Sequence, residues 1–240
     1  MGRNNHFQFK QFRIVQQRSA MKVGMDGVLI GAWADVSDTA RILDIGAGTG
    51  LIALMMAQRS SFAEIDAIEI DPEAFEECLF NVRQSPWSAR LKVWCCSFQS
   101  FTDLTDQKYD LIISNPPFFS NGLLAPEASR SQARHAHGLP LEELIGGIAR
   151  LLAKNGRAAL ILPVESLGQL RRYAAVNGLF LSRLCHVKPN TQKPVFRIMV
   201  ELTSAATACR EEQLLIEFEN HFDYSPEYRA LTRDFYLKFE

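Results

Sequence analysis

The chain has 240 residues, 47% of them apolar and 22% charged, with a net charge of −1. That length suits one large domain, or one domain with appendages, and the apolar share is enough for a sizeable core. The near-neutral balance excludes a partner chosen by overall charge, no apolar run is long enough to span a membrane, and the polar, basic N-terminus has no apolar signal core.

The basic residues are unevenly spread. Arg3, Lys10, Arg13, Arg18 and Lys22 all precede the first acid, Asp26, and the stretch from Arg183 to Arg197 adds Lys188 and Lys193 with no acid. Such stretches make either a one-sided positive face or an ordinary solvated surface. The five cysteines, Cys78, Cys95, Cys96, Cys185 and Cys209, show neither CxxC nor a His at metal-ligand spacing. They read as buried free thiols in a reducing, cytoplasmic setting, with no metal site.

In chain order, the loose alternation of Phe7, Phe9, Phe12 and Ile14 predicts a short strand or hairpin. Met25–Ala34 reads as a short helix capped by Asp26, and Arg41–Ile45 as a strand running into Gly46-Ala47-Gly48-Thr49-Gly50. A helix over Leu51–Gln58 and a strand over Ile65–Ile70 follow, and Asp71-Pro72-Glu73 caps a helix reaching about Gln84. Leu91–Cys96 and Tyr109–Ser114 are strands, the second ended by Asn115-Pro116-Pro117-Phe118. Residues 120–138 are polar, with Arg130, Arg134, His135 and His137. Leu141–Leu152 predicts a helix stopped near Asn155-Gly156, then a strand Ala158–Leu162 and a helix Ser166–Val176. Strands Leu179–Val187 and Val195–Thr203 flank a hairpin loop, and the tail from Gln213 mixes acids and aromatics. Alternating strands and helices predict an α/β fold: a mostly parallel sheet with helices on both faces and ligands beyond the C-terminal strand ends.

Asp44–Gly50, Glu69 and Asn115–Phe118 all fall at those ends. The glycines form GxGxG rather than GxGxxG, because position 51 is Leu, and no GKS/T follows, so the loop suits a ribose-bearing cofactor without phosphates. S-adenosylmethionine meets that description. Asp44 would order the loop and meet the cofactor's amino-acid end, Glu69 would accept the ribose hydroxyls or stand as a surface carboxylate, and Ser97 and Phe98 would flank the adenine. Asn115 and Pro116 make a rim of acceptors, because neither Pro116 nor Pro117 has an N–H, and Phe118 offers a stacking face. The rim fits a flat group bearing an NH2; the plainer alternative is a strand end with a Pro-Pro turn.

Leu43–Gly50 together with Asn115–Phe118 resembles the class I S-adenosylmethionine-dependent methyltransferases that act on planar amino nitrogens, over roughly residues 7–238. Met21-Lys22-Val23-Gly24-Met25-Asp26-Gly27-Val28-Leu29-Ile30-Gly31-Ala32-Trp33, with Phe9–Phe12 before it and Asp234–Phe239 at the end, is similar to the bacterial tRNA1(Val) adenine-37 N6-methyltransferases. The resemblance implies a Rossmann-like domain with a seven-stranded sheet, residues 1–34 covering the cofactor and 35–240 forming the core with its C-terminal hairpin and tail. It adds Lys22, Met25, Asp26, Ala47 and Ile70 to the cofactor set, with Met25 standing where the family usually has Thr. It implies a monomer that grips a tRNA anticodon loop through Lys10, Arg13, Arg18, Arg134, Lys188, Lys193 and Arg197. Rivals with the same rim are guanine-N2 transfer to ribosomal RNA and glutamine methylation of a release factor. An RNA-binding module with a decayed cofactor site and a nicotinamide dehydrogenase are further alternatives.

Overall fold

The computed structural model of the protein describes residues 5–19, 21–117 and 139–239. Strands β1 (His6–Gln8) and β2 (Arg13–Val15) form the expected N-terminal hairpin, and helix α1 (Met25–Trp33) follows. Strands β3 (Arg41–Ile45), β4 (Glu64–Glu69) and β5 (Leu91–Cys95) alternate with helices α2 (Leu51–Arg59), α3 (Pro72–Gln84) and α4 (Phe98–Leu104). Next come β6 (Tyr109–Ser114), α5 (Leu141–Leu151), β7 (Leu152–Pro163) and α6 (Leu167–Val176). Strands β8 (Phe180–Lys188), β9 (Arg197–Thr203) and β10 (Arg210–Leu215) precede α7 (Pro226–Thr232).

The main sheet has eight strands in the order β10-β8-β9-β7-β6-β3-β4-β5. Its neighbours pair in parallel except at β9, which runs against both β7 and β8. Side chains alternate across the central strands, so both faces must be covered by apolar surface. Ile42, Leu111, Ile113, Ala159 and Ile161 pack under α1, α2 and α7, whereas Leu43, Ile112, Ala158 and Leu160 pack under α4, α5 and α6. Helix α1 approaches α2 closely because Gly27 and Gly31 carry no side chain. A Cβ at Gly27 would lie 3.0 Å from Leu51, and one at Gly31 would lie 2.7 Å from the Met55 sulfur. The N-terminus of α1 is thereby held level with the start of α2, at the glycine-loop end of the sheet.

Several expectations need correction. Asp26 does not cap α1; Gly24 occupies the N-cap, and Asp26 instead pairs with Arg197 of β9 at 2.9 Å. Strand β7 begins directly after α5, and the Asn155-Gly156 stop is a register irregularity inside it, between Leu152 opposite Tyr109 and Arg157 opposite Leu111. Cys95, Cys96 and Cys209 are not buried, since β5 and β10 are the two edges of the sheet; Cys78 and Cys185 are. Helices α4 and α7 were not expected, and neither was β10, the strand that makes the sheet eight-stranded rather than seven-stranded.

Strand β10 has little apolar surface and is held by charge. Arg183 of β8 contacts Glu201 of β9 at 2.9 Å and Glu212 of β10 at 3.2 Å, and its guanidinium lies 4.0 Å above the ring of Trp33 on α1. Burial raises the carboxyl of Glu201 above its usual range in spite of that guanidinium. Removing one partner of a buried pair leaves the other charge uncompensated. Arg183→Met is therefore expected to lower unfolding free energy by roughly 3–5 kcal/mol, and the double variant Arg183→Met, Glu201→Leu to recover much of that loss, as measured by denaturant titration.

Candidate active site

The parallel register brings the chemistry to one edge. Ile45 stands opposite both Ile68 and Ser114, and Glu69 opposite Cys95, so β3, β4, β5 and β6 end side by side. Ser114 is fully buried, and its hydroxyl donates to the carbonyl of Ile45 at 2.7 Å, fastening the start of the Asn115 corner to the start of the glycine loop.

In that loop Gly46, Gly48 and Gly50 all have positive φ, which side chains disfavour. A Cβ at Gly46 or Gly48 would meet nothing within 4 Å, whereas one at Gly50 would lie 2.9 Å from the Cys78 sulfur. The first two glycines line open space, and the third is required by packing.

Asp44 is fully buried; its Oδ2 accepts the Ala53 N–H at 3.0 Å, and its Oδ1 has no hydrogen-bond partner among the described residues. Its carboxyl is pushed up from 3.8 to about 7, first by burial and also by the nearby Glu69 carboxylate, against the pull of the Ala53 N–H. An orphaned buried acceptor beside an open glycine cradle fits a small cation with donors to spare, such as the ammonium of an amino acid. Glu69 is 8% exposed; its two oxygens accept the N–H groups of Gly48 at 2.7 Å and Asp71 at 2.9 Å. A carboxylate has about four acceptor positions, so each oxygen retains capacity for a ribose hydroxyl. Asp71 caps α3 as expected, accepting from the Glu73 and Ala74 amides.

Across the edge, Asn115 is partly buried, Pro116 buried and Pro117 exposed, and the Asn115 side chain has no hydrogen-bond partner among the described residues. The Asn115-Pro116-Pro117 corner thus follows directly on Ser114, which pairs with Ile45 at the start of the glycine loop.

Comparisons with known proteins bear on the family and the fold. Residues 28–160 match the family model described as methyltransferase small domain. A tRNA1(Val) (adenine(37)-N6)-methyltransferase of Trichodesmium erythraeum is 46% identical over 98% of this chain and 99% of its own. One from Bacteroides fragilis is 44% identical over 97% and 98%. The chain belongs to this methyltransferase family. A crystal structure of a predicted O-methyltransferase from Agrobacterium tumefaciens shares the fold, with a TM-score of 0.66 at 20% identity over 88% of this chain and 96% of that one. The cofactor of this family is S-adenosylmethionine, and the chemistry of Asp44, Gly46, Gly48 and Glu69 fits it here; Ala47, also expected, is buried with its amide given to the Ile68 carbonyl at 2.9 Å.

Other expected residues fall differently around the family's site. Ser97 is the N-cap of α4, accepting from the Ser100 amide, and the Phe98 side chain is buried at 5% exposure against Gly147 of α5. The Phe98 ring is therefore packed in the core, and Ser97 is the partly exposed residue at this turn. Ile70 and Met25 are exposed beside the edge. Lys22 donates to the Gln16 carbonyl at 2.8 Å, and Lys10 donates to the Phe239 carbonyl at 2.5 Å. With Arg197 paired to Asp26, three of the expected ligand-binding cations also brace the fold. Arg13, Arg18 and Lys193 are exposed, and Lys188 is partly buried. The β8–β9 turn lies at the same edge as the glycine loop, since Arg197 stands opposite both Pro163 and Val187. Phe118, Arg130, Arg134 and His135 lie outside the described residues.

Sequence reasoning missed Glu77, Asn81 and Ser114. Glu77 and Asn81 sit one helical turn apart on the buried side of α3, where polar residues in an apolar stripe are the signal.

The raised carboxyl of Asp44 has a pH signature. Its folded value lies above the unfolded one, so its stabilising contribution is complete below about pH 4 and is lost as pH rises through 7. Ligand-free thermal stability should fall between about pH 5 and pH 8 through this group, and Asp44→Asn should remove that component. A cationic ligand favours the carboxylate, so affinity for S-adenosylmethionine should rise over the same window and become flat in Asp44→Asn. Thermal scans and titration calorimetry at both pH values check this.

Proposed function

We propose that this protein methylates N6 of adenosine 37 in tRNA1(Val), with Asn115 and Pro116 as the groups that grip the reacting amine. The observation carrying this reading is the juxtaposition of the Asn115-Pro116-Pro117 corner, whose prolines have no N–H, with the glycine loop, joined by the Ser114–Ile45 hydrogen bond. The names of the relatives that match nearly the full length of the chain support the substrate.

The exocyclic nitrogen of adenine is a poor nucleophile because its lone pair is delocalised into the ring. The Asn115 Oδ1 and the Pro116 carbonyl accept its two hydrogens, which lets the nitrogen pyramidalise and frees the lone pair. S-adenosylmethionine, when bound, supplies an electrophilic methyl on a positively charged sulfonium. Positive charge then develops on the nitrogen held by the two oxygens, and fixed dipoles of this kind lower a barrier by about 3–4 kcal/mol each. The prolines keep those dipoles fixed, since their φ angles are locked. No general base is assigned, because the methylated ammonium loses its proton readily. Phe118, next in sequence, takes the stacking role on the extruded base. Arg13, Arg18, Lys188 and Lys193 draw the phosphates of the anticodon loop, in the cytoplasm where tRNA is processed.

Asn115→Ala should retain cofactor affinity within a few-fold and lose about a hundredfold or more in turnover. Labelled S-adenosylmethionine with tRNA, followed by digestion to nucleosides, checks it. N6-methyladenosine is the expected product, and transfer to guanine, or undiminished transfer by the variant, would overturn the assignment. Lys193→Ala should weaken tRNA binding at every salt concentration and reduce the slope of log K against log salt by about one, as followed by filter binding.

A further inference from the structure

Helix α3 carries two buried polar side chains that the proposed reaction does not use. Glu77, 4% exposed, accepts three consecutive backbone N–H groups with one carboxylate: Gln17 at 2.5 Å and Arg18 at 2.9 Å on Oε1, and Ser19 at 2.9 Å on Oε2. Asn81, 1% exposed, exchanges two hydrogen bonds with the backbone of Val15 and gives a third to the carbonyl of Thr49, each at 2.9 Å. Thr49 lies inside the glycine loop. One face of one helix thus grips the N-terminal arm and the cofactor loop together.

The arm carries this grip onward. The Gln16 carbonyl takes the Lys22 ammonium and its side-chain oxygen takes the Val23 N–H, both at 2.8 Å. Helix α1 then starts, with Gly27 against Leu51 and Asp26 bound to Arg197 on β9. Residues 15–19 and 21–26 therefore form a strap from α3 to β9 along the glycine-loop edge. Apolar packing would fix only its surface, whereas three charge-assisted bonds to successive amides fix its backbone.

We infer that Glu77, with Asn81, is a positioning pair: it holds the strap against the glycine loop and so places Lys22, Met25 and Asp26 beside the cofactor. The inference rests on the proposed function, in that the cofactor is S-adenosylmethionine. Arg18, whose amide is one of the three held by Glu77, gains a fixed origin on the exposed side of the strap.

The test compares wild type with Glu77→Ala, Glu77→Gln and Glu76→Gln, the last removing an exposed charge from the same helix. Titration calorimetry with S-adenosylmethionine, steady-state kinetics with saturating tRNA, and amide hydrogen exchange are read together. Glu77→Ala should raise the cofactor Kd and KM by about tenfold or more with kcat changed by less than about threefold. Glu77→Gln should fall between it and wild type, and Glu76→Gln should match wild type. Exchange at the amides of 17–19 should accelerate by about tenfold or more while β3 and β4 stay protected. Where Glu77→Ala does not fold, Glu77→Gln carries the same comparison. Unchanged cofactor affinity with a loosened strap, an unloosened strap, or equal loosening of β3 and β4 would each overturn the positioning role and leave the proposed function standing. A wild-type protein that binds no S-adenosylmethionine would overturn both.

Discussion

The hydroxyl of Ser114 and the carbonyl of Ile45 meet at the point where two buried parallel strands stop, and the site depends on the pairing that this bond completes. Parallel strands must run in the same direction and be covered on both faces, so their carboxyl ends gather along one edge. There the backbone leaves the ladder, and its polar groups become available to a ligand. Shifting β6 by one residue would turn Ser114 and Asn115 to opposite faces and part the acceptor corner from the glycine cradle. Both faces of Leu111, Ile112 and Ile113 are apolar, so polar bonds at the two ends of β6 oppose that slip: Asp110 accepts the Ala40 and Arg41 amides at 2.9 Å, and Ser114 donates to Ile45 at 2.7 Å.

Three buried carboxylates near that edge meet three different fates, and the partners decide which. Glu77 is saturated by amides of the strap, Glu69 bridges the glycine loop to the start of α3, and Asp44 keeps one oxygen unpartnered among the described residues. The Asp44 carboxyl is moved up to about 7, because burial acts there with a single amide to oppose it and the Glu69 carboxylate close by. The same two carboxylates, added to burial, push the Cys78 thiol well above its usual range, so a cysteine beside the site remains an unreactive packing element. A group left unsatisfied inside an otherwise satisfied structure is where a ligand has most to offer.

Far from the site, the fold is closed by devices of a different kind. Arg183 lies over Trp33 and between two glutamates, which attaches β10 through charge where its residues offer little to bury. Tyr236 of the C-terminal tail packs its ring against Phe7 and Phe9 of the N-terminal hairpin, and Phe239 joins Tyr236 to Tyr228 of α7. Lys10 adds its backbone N–H to the Phe235 carbonyl and its ammonium to the Phe239 carbonyl, so hairpin and tail are held together.

Much of this was legible in the order of residues because it is local. The runs at 41–45 and 109–114 read as strands from their apolar content, Asp71-Pro72-Glu73 as a helix start, and the glycine and Asn-Pro-Pro segments as strand ends. Ser225-Pro226-Glu227 opens α7 with the same signature as Asp71-Pro72-Glu73, and Ser97 caps α4; both were readable and were overlooked. What tertiary structure alone decided is pairing across distance. That Glu77 reaches amides sixty residues upstream, that Arg197 meets Asp26, and that Glu212 recruits an eighth strand all depend on which surfaces face each other after folding. A side chain's propensity is a property of its neighbours in sequence, whereas a buried polar group's partner is set by the need to satisfy it wherever the chain has brought a donor within reach.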